Sequence, residues 1–107
     1  MSRSVDVTAL AQFLREFAAD RDWEQYHTPK NLAMALAAEA GELLDIFQWL
    51  TAEESVAVMS DPDRARAVQE EIADVFQYLV RLADILGVDI EEAVWEKLRH
   101  NESRFPS

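Results

Sequence analysis

The chain contains no cysteine, which excludes disulfides and thiolate metal sites together. Its 107 residues include only 2 glycines and 3 prolines. So little backbone punctuation favours long helices over short strands and tight turns. No apolar run approaches the roughly 20 residues of a membrane span, and no signal-peptide pattern opens the sequence. A cytoplasmic chain with no membrane partner is expected. Basic residues are scarce as well. Ten Lys and Arg face 21 Asp and Glu, for a net charge of −11, and that balance lacks the basic footprint of a nucleic-acid-binding surface. What remains is 50% hydrophobic and 29% charged, the composition of one globular domain over residues 1–107.

The periodicity predicts helices throughout. Asp6 or Ser4 can cap a first helix carrying Val7, Leu10, Phe13 or Leu14, and Phe17, fading near Ala19–Asp20. Residues 21–27 have no helical stripe and read as an aromatic loop. Thr28–Pro29 opens a second helix running to about Leu50. Thr51 and Glu54 have capping-box spacing for a short turn ending near Met59. Asp61–Pro62 opens a long third helix that Gly87 ends, and Asp89 with Glu92 opens a fourth, with Ile90, Val94 and Leu98 inward. The fold class is all-α, a bundle of four main helices. The third helix is apolar on more than one side, through Val75, Phe76, Leu79, Val80, Leu82 and Ile85. A small monomer can cover only one such face, so a homo-oligomer is expected, a homodimer or homotetramer with helices packed across subunits.

Four acids stand out from the other charges. Glu39 and Glu42, and again Glu71 and Asp74, are spaced i, i+3, which puts each pair on one helix face. Solvated acid pairs are common in so acidic a chain, and Glu53–Glu54 and Glu91–Glu92 read that way. Two features set the four apart. Glu39 fills the missing position in the apolar stripe Leu32, Leu36, Leu43, Ile46, Leu50, and the second pair lies beside another stripe, Val68, Ile72, Val75, Leu79, Leu82, Leu86. Carboxylates amid apolar positions call for a partner or a metal ion. Oxygen ligands suit magnesium, with manganese the alternative, while zinc and di-iron sites would want cysteine or Glu-x-x-His pairs. Ala38, Ala40, Gly41 and Ala73 leave room around the acids for a ligand.

The motifs as a set resemble the MazG-like all-α nucleotide pyrophosphohydrolases, and among them the dCTP pyrophosphatase branch. The resemblance is carried by Arg21-Asp22-Trp23-Glu24-Gln25-Tyr26-His27-x-Pro29-Lys30-Asn31-Leu32, by Glu39-x-x-Glu42-Leu43-x-x-x-Phe47-Gln48-Trp49, by Gln69-Glu70-Glu71-x-x-Asp74-Val75-x-x-Tyr78-Leu79-Val80, and by Lys97-x-x-x-Asn101-x-x-Arg104-Phe105-Pro106. It implies magnesium-dependent hydrolysis of a deoxynucleoside triphosphate to monophosphate and pyrophosphate. Glu39, Glu42, Glu71 and Asp74 would hold the metal, and Trp23, His27, Trp49 and Tyr78 would belong to the nucleotide site. Leu14 departs from the pattern, because the branch tends to carry a histidine there near the base. That leaves base preference open.

The residue chemistry is compatible with this activity. Glu39 or Glu42 could take the proton of an attacking water. Trp23, Trp49 and Tyr26 could stack a base, and Lys97 and Asn101, with Arg104 on the same helix face, could hold outer phosphates. Trp95 reads as core or interface. Two alternatives stay open: another MazG-like specificity, including phosphoribosyl-ATP hydrolysis, and a non-catalytic helical oligomerisation or metal-binding module.

Overall fold

A computed structural model of the chain describes residues 6–106, and Ser4, one of the two proposed helix caps, lies outside them. The elements in order are α1 (Val7–Asp20), a 3-10 turn (Glu24–Tyr26), α2 (Pro29–Phe47), α3 (Ala52–Val56), a second 3-10 turn (Val58–Ser60), α4 (Pro62–Leu86) and α5 (Ile90–Arg104). The four expected long helices are present, with the short turn after Thr51 forming α3.

Most helix boundaries follow from caps written in the sequence. Asp6 Oδ1 accepts from Thr8 N at 2.9 Å at the start of α1. Thr51 and Glu54 form both halves of a capping box at α3. Asp61 Oδ1 accepts from Asp63 N at 3.0 Å, and Asp89 Oδ1 accepts from Glu92 N at 3.0 Å. Each cap satisfies an otherwise unpaired N–H of a first helical turn. α2 stops at Phe47, earlier than its apolar stripe suggests, because the chain tightens so that Leu50 N donates to Phe47 O at 2.9 Å.

α1 and α4 end in the same way. Asp22 at φ +56° and Gly87 at φ +71° both take the left-handed conformation. At each, the following N–H reaches back to the last turn: Trp23 N donates to Ala18 O at 2.9 Å, and Val88 N to Ala83 O at 2.8 Å. These are Schellman closures. Gly87 was expected to stop its helix, whereas Asp22 does so despite its side chain, which acidic and amide residues tolerate better than most.

The contacts gather the chain into two compact units. One comprises the described residues up to Pro29 and those from Val80 on; the other is Lys30–Leu79. In the first, Ala18, Val80, Arg81 and Ala83 are buried; in the second, Leu32, Val58 and Val68 are.

Two apolar stripes differ from expectation. On α4, Ile72, Leu79 and Leu86, members of the apolar stripe named above, are exposed rather than buried, together with Phe76. The less exposed side runs instead through Val68, Glu71, Val75, Tyr78, Leu82 and Ile85. Steps of three and four from Val68 can pass through either 71 or 72, and the helix turns the acid side in. Ile72, Phe76, Leu79 and Leu86 therefore form a second, open apolar strip. On α5, Val94 and Leu98 are exposed rather than inward, and only Ile90 and Asn101 are half-buried, because the described residues of the chain offer this face no cover.

The two glycines are expected to respond oppositely to alanine. Neither added Cβ meets an atom within 4 Å, so backbone conformation alone decides. Gly87→Ala should cost about 1 kcal/mol through the left-handed conformation, and Gly41→Ala, inside α2, should gain about 0.5–1 kcal/mol. Urea denaturation midpoints of the two variants provide the check.

Candidate metal centre

Glu39 and Glu42 are presented three residues apart on α2, and Glu71 lies on the inward side of α4. Each contributes a carboxylate oxygen to a group whose members all lie within 4.8 Å of one another. Glu39 and Glu71 are half-buried, and Glu42 is exposed. Glu39 Oε2 and Glu71 Oε2 are shut off from solvent without a hydrogen-bond donor among the described residues. Buried acceptors lose their water and gain nothing, unless a proton or a cation meets them.

The titration of Glu71 reflects that conflict. Its carboxyl is pushed up to about 7 from an ordinary 4.5, first because the protonated form would donate to Glu39, then through burial, then through the charge of Glu42. Oxygen-only donors and flanking small residues fit a hard divalent ion such as magnesium or manganese. Asp74, the fourth sequence candidate, is half-buried one turn further along α4 and is not a member of the close group.

The other candidates fall into two sets. Tyr78 is half-buried on α4, and Trp49, 86% exposed, stands in the turn after α2; both belong with the acids to the Lys30–Leu79 unit. Trp23, His27, Lys97 and Asn101 belong to the other unit. There Lys97 is exposed on α5 and Asn101 half-buried. Trp23 and His27 come together, with ring centroids 6.2 Å apart. Trp23 also meets Phe17 edge-on at 5.7 Å, and the Arg21 guanidinium lies 3.3 Å above the Phe17 ring. The closure at Asp22 delivers Trp23 to this cluster.

One partly buried ionic chain went unnoticed in the sequence. Arg81 donates from Nε to His27 Nδ1 at 3.1 Å and from Nη1 to Asp84 Oδ2 at 3.3 Å. Asp84 in turn accepts two bonds from Arg15, at 2.7 and 3.0 Å. The Arg15 hydrogen bond, with the neighbouring positive charges, holds the Asp84 carboxyl below the usual range. A signal was available, since Arg81 interrupts the apolar run Leu79-Val80-x-Leu82 much as Glu39 interrupts the leucine stripe of α2.

A family model described as the MazG-like family matches residues 34–107, a stretch that holds all four acids. The chain belongs to the MazG-like family. Among curated relatives, human (Homo sapiens) dCTP pyrophosphatase 1 is 48% identical over 92 residues, and its mouse (Mus musculus) counterpart is 47% identical over 91. These alignments take in 86% and 85% of this MazG-like chain but 54% of each relative, so the chain spans about half the length of the curated relatives it matches. A crystal structure of a pyrophosphatase from Archaeoglobus fulgidus superposes with a TM-score of 0.88 at 41% identity, covering 100% of this chain and 98% of that one.

The raised Glu71 value has a sign that can be tested. A carboxyl raised in the folded state contributes stability fully present below its unfolded value, lost as pH rises through the folded one. Without metal, the protein should therefore lose stability between about pH 4.5 and about pH 7 on this group's account. Glu71→Gln should flatten that loss. Urea midpoints of both proteins, measured with chelator across this window and again with added magnesium, check it; magnesium should restore the wild type alone.

Proposed function

We propose that the chain hydrolyses a nucleoside triphosphate, dCTP or a modified dCTP, to the monophosphate and pyrophosphate, using magnesium held by Glu39, Glu42 and Glu71 with Asp74 beside them. The observation that carries this reading is the close group of three carboxylates with two buried oxygens lacking donors. The dCTP pyrophosphatases among the relatives support the substrate class. They also favour it over phosphoribosyl-ATP hydrolysis and over a module without turnover. Cytoplasmic nucleotide-pool cleaning is the corresponding role.

Bound at these acids, the metal would supply local positive charge that eases the approach of a triphosphate to a chain of net charge −11 and stabilises the charge developing on the leaving pyrophosphate. The remaining steps fall to the chain's own groups. Water attacks the α-phosphorus, the bond from that phosphorus to the bridging oxygen breaks, and pyrophosphate leaves. The water's proton passes to a carboxylate. Glu42 suits this part because its exposure lets it return the proton to solvent, whereas Glu39 is half-buried. The exposed rings of Trp23 and Trp49 offer faces for a base, and the Tyr78 hydroxyl, Lys97 and Asn101 offer donors to sugar and phosphate.

The open strip of Ile72, Phe76, Leu79 and Leu86 on α4 and the exposed Val94, Trp95 and Leu98 on α5 favour burial against a second copy of the chain, in a homodimer or homotetramer. Light scattering should then report a multiple of 12.2 kDa.

Pyrophosphate release from a panel of nucleoside triphosphates, with and without magnesium, tests the activity. Turnover should require the metal and be greatest with cytosine deoxynucleotides. Glu42→Gln should lower kcat by about 10²-fold or more while the fold persists. A well-folded chain that releases pyrophosphate from none of the panel would overturn the proposal.

A further inference from the structure

His27 is the one candidate nucleotide contact whose chemical form is set by a neighbouring side chain. Arg81 is 6% exposed, the one buried charged residue among those described. A guanidinium has five N–H groups and no acceptor, and it does not deprotonate in proteins. Since its Nε lies 3.1 Å from His27 Nδ1, that ring nitrogen must be the acceptor, with its lone pair committed. Protonating Nδ1 would set one N–H against another. Asp84 holds the far side of the Arg81 fork, and two bonds from Arg15 hold Asp84, so Arg81 has little freedom to turn away.

We infer that Arg81 is a positioning residue that fixes His27 as a neutral imidazole with its proton on Nε2, so that the ring offers a hydrogen-bond donor, rather than a base or a cation, to an acceptor atom of the bound nucleotide. This rests on the nucleotide hydrolysis proposed above and on the resemblance, which implies that His27 belongs to the nucleotide site. Burial lowers the affinity of the ring for a second proton, and the charge of Arg81 lowers it further. The groups facing the ring agree: Arg81 comes from α4, and on the side of its own loop stands the uncharged Trp23 ring. A neutral donor leaves His27 out of the proton transfer, which the carboxylates carry. It also gives selectivity for an acceptor, because a ring locked in one tautomer cannot adapt to a donor in the same place.

The experiment is a long-range nitrogen–proton NMR spectrum of the imidazoles at about pH 7, recorded without nucleotide. A His100→Gln background leaves His27 as the single histidine. The expected result is an unprotonated Nδ1 and a protonated Nε2. In Arg81→Met, a mixture of tautomers should appear, and the KM for the triphosphate should rise about tenfold with kcat changed less than about twofold. Arg81→Lys should partly restore both. A wild-type ring protonated on Nδ1, or on both nitrogens, overturns the inference. So does a folded Arg81→Met protein with the wild-type tautomer and KM. Should Arg81→Met not fold, the wild-type spectrum decides alone. Should no triphosphate be hydrolysed by the wild type, the nucleotide reading falls, while the spectrum still decides whether Arg81 locks the ring.

Discussion

Three carboxylates each bring an oxygen within 4.8 Å of the others, and Glu39 Oε2 and Glu71 Oε2 are shut off from solvent without a donor among the described residues. Acceptor against acceptor is unfavourable twice over, through repulsion between the charges and through the lost hydration. A folded chain can tolerate it by keeping a proton in the cluster, which is what the value near 7 for Glu71 expresses, or by taking up a cation. The first answer weakens as pH rises. The second improves, because a metal ion displaces the proton and binds best to carboxylates already ionised. The helices that carry these acids can thus be somewhat unstable alone and stable when loaded.

The rest of the Lys30–Leu79 unit is consistent with that requirement. α2 and α4 each begin at proline, and an Asp61 cap fixes the start of α4. The face of α4 that turns inward is the one bearing Glu71, even though Ile72 then stays in the open. Burying Ile72 would be favoured by its apolar area alone. That the acid takes the inner side instead marks this helix as arranged around a polar centre. The other unit contains a second polar arrangement, in which every charge has a partner: Arg81 between His27 and Asp84, and Asp84 held by Arg15. One cluster lacks positive charge, whereas the charges of the other are paired, so the first is the one that calls for a cation.

Much of this was legible in the residues. Caps at Asp6, Thr51, Asp61 and Asp89 and the stop at Gly87 are local chemistry, and local chemistry is what a sequence displays directly. Glu39 stood out because it interrupts a leucine stripe. The misreadings have a common origin. On α4, a stripe through Ile72 and Leu79 is as periodic as one through Glu71 and Tyr78, and hydrophobicity favoured the wrong one. On α5, Val94 and Leu98 have the spacing of a buried face, but the described chain does not cover them. Arg81 was missed because its partners are 54 residues back in sequence, at His27, and three ahead, at Asp84, and a lone arginine in an apolar run does not name them.

The central claim is that the acid cluster exchanges a proton for a divalent ion. Calorimetric titration of magnesium into the protein at about pH 6 and about pH 8, in buffers of different ionisation heat, measures both events together. The account predicts binding at both, with about one proton released at the lower pH and close to none at the higher. No binding of magnesium or manganese at either pH, or proton release that does not change between them, would contradict it.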